Sequence, residues 1–527
     1  MQSSRRIAVV LVFAWVLVGT AMLAAQEPKK EPPPTKEEIE KAKKAAAAQQ
    51  AAQRELWRIA YHPTRIPDRI VLTWNGDPTT TQAVTWRTDV TVTKAVAQFA
   101  LSEAGPSFDG YGSKTRPNPE KVKTIEARTE PLLTDLFDAH YHSVVFTGLQ
   151  PKTRYVYRVG DGSTWSEWFQ FRTASDGPEP LSFIYFGDAQ NEVKSHWSRV
   201  VRGAFSDMPK AHFILHAGDL INRANADGEW GEWHEAAGWI NGMVPSVATP
   251  GNHEYALPTG SPAKVDGKAV PRRVSANWRP QFTLPENGPA GLEETVYYFD
   301  MQGVRIISLN SNEQQEEQVK WLVPVLADNP NKWTVITFHH PIYSTAKGRD
   351  NKKLRELWRP LFDRYTPDLV LQGHDHTYGR SGVMREDNLL TGARSRDERG
   401  TVYVVSVSGP KMYKLEDAKW MQAKAADTQL YQLINIDGDR LTYEARTANG
   451  EVYDRFELVK PGGIKTASQQ LTSDTSPKAP AEIPASPAET QPAASAGLGT
   501  PVWVTIGMVV GVCLTLLGRV LIRRFAA

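Results

Sequence analysis

The stretch LSFIYFGDAQ, residues 181–190, runs a short apolar segment into Gly187 and Asp188. A run this short, rich in aromatic and β-branched residues, reads as a buried strand that the glycine ends. The pattern returns along the chain. HFILHA leads into Gly218-Asp219-Leu220, and VPSVATP leads into Gly251-Asn252-His253-Glu254. WTVITF leads into His339-His340-Pro341, and DLVLQ into Gly373-His374-Asp375-His376. Helix-like segments alternate with these strands, among them Lys194 to Phe205, Glu229 to Ile240 and Lys352 to Tyr365, so the region is an α/β domain. Ligands of open α/β sheets gather beyond the carboxyl ends of the strands. The polar residues at these strand ends are therefore expected to converge in space.

Carboxylate, amide and imidazole donors suit Mn, Fe or Zn, and two ions roughly 3.5–4 Å apart suit in-line attack on phosphorus. Two such ions repel, and an anionic ligand between them relieves this. Asp219 is the candidate for that bridging carboxylate. Asp188 should hold the first ion, opposite Asn252, a neutral oxygen donor for the second. His374 and His376 lie two apart, so on an extended backbone they point to different sides and serve one ion each. His339 completes the second site. Water shared between the ions ionises near neutral pH and can attack a bound phosphoryl group. His253 is the candidate catalytic residue, protonating the leaving alcohol or stabilising phosphoryl oxygens, with Glu254 placed to orient it. His142, His196, His212, His216 and His234 read as structural. His340 either faces substrate or packs behind His339.

The motifs GD, GD, GNHE, H-x-P and GHDH resemble those of the calcineurin-like metallophosphoesterases. With the run GHDHTYGR and a β-rich region ahead of them, they look most like the purple acid phosphatases and their bacterial relatives, over roughly residues 63 to 460. The resemblance implies that Asp188, Asp219, Asn252, His339, His374 and His376 bind metal and that His253 contacts phosphate. It puts His376 with Asp188 on the first metal, and His339 and His374 with Asn252 on the second. It also implies a cofactor of two divalent ions, Fe, Mn or Zn. Purple acid phosphatases carry an iron-binding tyrosine three residues after the second aspartate, where this chain has Asn222. Other members place a histidine two residues after the first aspartate, where this chain has Gln190. Gln190 and Asn222 are thus candidate extra ligands. Gln190 is preferred, because strand periodicity turns it to the side of Asp188. His340 and Tyr378 are candidate substrate contacts. The stretch after His339, which supplies further substrate histidines in plant relatives, offers only Tyr343, Lys347 and Arg349.

Outward from the motifs, the chain divides into segments. Residues 63–175 carry short strand-like runs and form an all-β sandwich. Gly148 to Tyr155 (GLQPKTRY) resembles the corner before a late strand of a fibronectin type III domain, where the tyrosine hydrogen-bonds upstream backbone. Trp74, Trp86, Trp165 and Trp168 are expected to serve packing before sugar binding. Residues 176–460 form the metallophosphoesterase domain, a β-sandwich flanked by helices. Residues 26–62 read as a spacer with an alanine-rich helix, begun by the capping-box pair Thr35 and Glu38. Residues 461–500, rich in Pro, Ala, Ser and Thr, are a flexible linker. Residues 1–25 have the order of an export signal or an N-terminal anchor. Residues 501–522, followed by Arg523 and Arg524, read as a transmembrane helix.

These segments predict a single-pass membrane protein with its catalytic domain outside the cytoplasm. A formal net charge of +2 over 527 residues argues for no nucleic-acid partner, and the single Cys513 rules out an intrachain disulfide. The expected activity is hydrolysis of phosphate monoesters on a phosphorylated small molecule, by in-line attack of a metal-bound hydroxide. Alternatives are a phosphodiesterase or nucleotidase on the same site, or a non-catalytic surface binding protein.

Overall fold

All the apolar runs that precede the motifs form strands: Leu181–Phe186, Phe213–His216, Ser246–Ala248, Trp333–Thr337 and Leu369–Gln372. The computed structural model describes residues 35–460 apart from 113, 115, 119, 259, 260, 266 and 391–398. The export segment, the linker and the membrane helix read at 1–25, 461–500 and 501–522 lie outside the described residues. Among those described, no helix is long and apolar enough to cross a membrane.

The first three of these strands pair in parallel within a six-stranded sheet. Leu430–Asp437, Arg440–Thr447 and Val452–Val459 complete it in antiparallel fashion. The other two pair in parallel with each other in a second sheet, flanked by Val304–Ser308 and Thr401–Val405. Tyr378–Arg385 joins that second sheet through Thr401–Val405. The sheets share one core, to which the first contributes Phe183, Leu215 and Ile434 and the second Val335, Leu371 and Val404. Strand alternation sends the neighbouring Ile336 and Val370 to the opposite face, where Trp358 and Phe362 of the helix Lys352–Tyr365 cover them. Both faces are thus closed, as the sequence predicts for a sandwich flanked by helices.

One buried ion pair stitches the sheets together. Arg380 of the second sheet donates from Nε to Asp454 Oδ2 of the first at 2.6 Å, and from Nη2 to Oδ1 at 2.9 Å. The Tyr378 hydroxyl donates to the same carboxylate at 2.6 Å.

Residues 68–172 fold into two four-stranded antiparallel sheets. Trp86, Phe99, Phe146, Tyr157 and Phe171 fill the space between them. The expected corner is present: Gln150 N–H donates to the Tyr155 hydroxyl at 2.8 Å. Trp74 and Trp86 are buried, in line with a packing role.

The helix Lys36–Ala60 starts at the expected capping box, in which Glu38 N–H donates to Thr35 Oγ1 and the Glu38 carboxylate accepts from Thr35 N–H. Most of it is exposed, as a spacer would be, but its last turn is not free. Trp57 and Tyr61 bury themselves against the helix Asp227–Ala237, with Trp57 Nε1 donating to Glu232 and the Tyr61 hydroxyl to Glu235, each at 2.8 Å. The segment is therefore a docked element as well as a spacer. Charge balance along the helix conceals this, because the docking rests on two aromatic residues at its end.

Replacing Asp454 with Ala leaves Arg380 buried without its partner, which should lower folding stability by about 3–5 kcal/mol. Urea unfolding monitored by fluorescence measures this. A change below about 1 kcal/mol, the scale of an exposed pair, would show that the pair does not join the sheets.

Candidate metal centre

The site forms where the parallel strands of both sheets end. Asp188 follows Leu181–Phe186, Asp219 follows Phe213–His216, and Asn252 to Glu254 follow Ser246–Ala248. His339 follows Trp333–Thr337, and His374 and His376 follow Leu369–Gln372. The extended backbone expected for His374 and His376 is not what separates them. Both have left-handed backbone, φ +76° and +47°, and so does Asp219 at +52°. These strained turns, and not strand alternation, aim the side chains.

Glycines let the turns close. A Cβ on Gly251 would sit 2.1 Å from Asp219 Oδ1, and one on Gly373 would sit 2.2 Å from Asp188 Oδ1. The glycine of GNHE and of GHDH is thus a clearance for a carboxylate.

Two groups of ligand atoms result, Asp188–Asp219–His376 and Asp219–His339–His374, each with its atoms within 4.8 Å of one another. Asp219 belongs to both, as expected of a bridge. His339 Nε2 lies 3.0 Å from Asp219 Oδ2, 3.1 Å from His374 Nδ1 and 3.2 Å from Asn252 Oδ1, which adds the amide to the second group. His376 Nε2 lies 3.2 Å from Asp188 Oδ2. The distant ring nitrogens are fixed by backbone: Ala217 O accepts from His339 Nδ1, and Lys411 O from His376 Nδ1, each at 2.9 Å. A carbonyl can only accept, so Nε2 is left with a lone pair for a metal.

The donor set fits metal ions. Asp188 Oδ2 and Gln190 Oε1 are wholly buried and have no hydrogen-bond partner, a costly state for polar atoms unless something else satisfies them. Burial pushes the Asp188 carboxyl up to about 7. Burial and then Lys411 hold His376 down to about 3, the neutral form that ligates. His339 resists burial and is drawn up to about 9 by Asp219 and Asp188. This cluster of acids is short of cations.

Gln190 stands inside the first group, its Nε2 2.9 Å from Asp219 Oδ2 and 3.0 Å from His376 Nε2. Asn222 meets the site through its backbone: the main-chain carbonyl accepts from His253 Nδ1, and the main-chain N–H donates to Glu229. His253 N–H donates to Asp219 Oδ1 at 2.8 Å, and His253 Nε2 is 4.0 Å from Asp219 Oδ2. Glu254 does not orient His253. Its carboxylate accepts from Gly251, Asp219 and Leu220 N–H, and so ties the two loops together around Asp219. Burial and the nearby Asp219 push its carboxyl up to about 8, against those donors.

The substrate candidates separate. His340 lies against His374, ring centroids 4.2 Å apart, with Nδ1 2.8 Å from Ser311 Oγ. Tyr378 does not reach the site, because it is fully buried and its hydroxyl is committed to Asp454. Among the other histidines, His142 is bonded to Thr88 and Thr129, and His234 to Gln281. His216 packs among Phe186, Trp197 and Trp233, with Nε2 unpartnered. Arg349 escaped assignment from sequence. It contacts His374 Nε2, pairs with buried Asp375 at 3.1 Å and lies 5.1 Å from the Tyr413 ring centroid. Only its place in the stretch after His339 hinted at this.

Two ligand groups sharing an acid, with an imidazole beside them, define a metal-dependent phosphoesterase. Comparison with known proteins gives the family. Residues 67–173 match the purple acid phosphatase N-terminal domain, and residues 182–378 match the calcineurin-like phosphoesterases. A purple acid phosphatase of Glycine max is 26% identical over 340 residues, 60% of this chain and 69% of that one. Acid phosphatase type 7 of Homo sapiens is 23% identical over 445 residues, 76% and 92% of the two chains. The purple acid phosphatase PPD1 from yellow lupin seeds shares the fold, with a TM-score of 0.61 at 18% identity and 75% of each chain covered. The chain belongs to the purple acid phosphatase-like branch of the calcineurin-like phosphoesterases and is a hydrolase of phosphoric esters. Purple acid phosphatases use dinuclear centres of Fe, Zn or Mn, and the two ligand groups are the places for such ions here.

Adding a methyl at Gly251 displaces the shared acid. Gly251→Ala should therefore cut bound metal, read by elemental analysis, and shrink the rise in melting temperature that Mn²⁺ gives the parent protein. Unchanged stoichiometry would mean that the Asp219 loop has room to yield.

Proposed function

We propose that this chain hydrolyses phosphate monoesters at a dinuclear centre outside the cytoplasm. The observation that carries the chemistry is Asp219, common to both ligand groups and in contact with the His253 backbone. Asp188, Gln190, Asp219 and His376 would hold one ion, and Asp219, Asn252, His339 and His374 the other. When bound, such ions activate water as a nucleophile and offset charge on phosphoryl oxygens.

The chain's own residues do the rest. Asn222 O fixes His253 through Nδ1 and leaves Nε2 facing the cluster. From there His253 hands a proton to the leaving oxygen. Glu254 keeps the loops of Asp219 and His253 in register, so acid and ligands move as one unit. The sequence of residues 1–25, with the order of an export signal or N-terminal anchor, and the apolar stretch 501–522 support the reading of a membrane-tethered enzyme. Deleting residues 501–527 should release active protein from the membrane fraction, because every site residue lies at or before 376.

Purified protein assayed on p-nitrophenyl phosphate and its bis ester, with and without Mn²⁺, tests the activity. Metal-dependent turnover of the monoester in preference is expected; preference for the bis ester would make the enzyme a phosphodiesterase. On an alkyl phosphate, whose leaving alkoxide needs a proton, His253→Ala should slow turnover about 10²–10⁴-fold with metal retained, the usual share of a positioned proton donor. Loss of metal in that variant would make His253 a ligand.

Colour gives a further check. Tyr255 donates to Glu313 at 2.5 Å, and Tyr378 to Asp454 at 2.6 Å, so neither hydroxyl is free for iron. Gln190 and Asn222 are neutral, so the iron-loaded protein should lack a visible tyrosinate-to-iron band. Such a band would place another tyrosine on the metal.

A further inference from the structure

The peptide segment whose carbonyl holds His253 is fixed by a helix that rests on elements outside the catalytic domain. Asn222 N–H and Arg223 N–H both donate to Glu229 Oε2, at 2.8 and 2.7 Å, and Arg223 Nε donates to Glu229 Oε1 at 2.7 Å. Glu229 is on the first turn of the helix Asp227–Ala237, so the place of that helix decides the place of Asn222 O.

Two elements far away in sequence fix the start of this helix. Arg69, from the β-sandwich strand Asp68–Thr73, forks onto Asp227, with Nη1 to Oδ1 at 2.7 Å and Nη2 to Oδ2 at 3.0 Å. Arg87 lies 3.5 Å from the same carboxylate, and Asp227 N–H donates to Asp135 at 2.8 Å. All three side chains of the Arg69–Asp227–Arg87 cluster are buried, where charge-assisted pairs hold geometry tightly.

The second element is the end of the N-terminal helix. Trp57 and Tyr61 lie on Gly228 and Gly231, where a Cβ would come within 2.1 Å of Trp57 and 2.6 Å of Tyr61. Glycine inside a helix is destabilising against alanine, so this pair is explained by the close approach of the rings. The Arg223 guanidinium carbon lies 5.6 Å from the Trp57 ring centroid. The docking surface and the loop that carries Asn222 are thus one assembly.

We propose that Trp57, Arg69 and Glu229 are positioning residues for His253, and that the N-terminal helix and β-sandwich serve catalysis by setting its proton-donor geometry. This rests on the proton-donor reading of His253. The path runs from Trp57 and Arg69 to the helix Asp227–Ala237, through Glu229 to Asn222 O, and on to His253 Nδ1. It enters at His253 Nδ1 and touches neither Asp188 nor the imidazole ligands, while Asp219 is held independently by Glu254, His339 and Gln190, so its loss falls on protonation of the leaving group before metal binding.

Leaving-group dependence separates this from a general structural effect. A p-nitrophenolate departs without a proton, whereas a simple alkoxide needs one. Metal-loaded full-length Trp57→Ala and Glu229→Gln should each lose about tenfold in kcat on an alkyl phosphate, a tenth or less of what a proton donor supplies, and stay within about twofold on p-nitrophenyl phosphate. Metal content should match the parent, and Trp57→Phe, which keeps a ring on Gly228, should restore the parental ratio of the two rates. Equal losses on both esters, or no loss on either, overturn the positioning role. His253→Ala is the reference. If it too loses equally on both esters, the proton-donor reading fails; if it is selective and the other variants are not, only the coupling fails.

Discussion

The site depends on one carboxylate, Asp219, which must face two ligand groups at once while wholly shut off from water. A buried acid is costly unless it is paired. Here the pairing is divided among His339 at 3.0 Å, His253 N–H at 2.8 Å and Gln190 at 2.9 Å. A left-handed backbone at φ +52° aims it, and Glu254 holds its N–H. Gly251 has no side chain because one would occupy the place of Oδ1. Every neighbour of Asp219 is thus constrained by the space it occupies.

The parallel strands of two sheets supply that constraint. Each sheet by itself presents only part of the donor set: Asp188, Asp219 and Asn252 extend from one, His339, His374 and His376 from the other. The centre therefore exists only while the sheets stay in register. Arg380, Asp454 and Tyr378 cross between them, and the common core of Phe183, Leu215, Val335 and Leu371 excludes water from the seam. Stability of the sandwich and assembly of the centre are the same event, since separating the sheets would also separate the two halves of the ligand set.

A second layer of order lies outside the catalytic domain. Asp227 is buried between arginines of the β-sandwich, and aromatic residues of the N-terminal helix cover the same helix start. Such contacts are disproportionate for a mere spacer. They fix the start of the helix whose Glu229 accepts from both backbone N–H groups of the short segment 222–223.

Much of this was legible in the sequence. Short apolar runs ending in Gly-Asp, Gly-Asn-His and Gly-His-Asp-His announced strands with ligands at their ends, because a buried strand must be apolar and a metal ligand must follow it. The two sandwiches, the Thr35 capping box and the tyrosine corner at Tyr155 were readable for a similar reason: each is set by residues close together in the chain. The roles that were not readable depend on partners far away in sequence. Tyr378 follows the GHDH motif yet turns inward to Asp454, and Glu254 adjoins His253 yet serves Asp219. Trp57 ends a helix that reads as a spacer but meets Gly228 across 171 positions, a contact with no local signature. Local composition determines which elements form and which donors they carry; packing between distant elements decides which way each side chain faces, because burial and hydrogen-bond satisfaction are settled only when the sheets close.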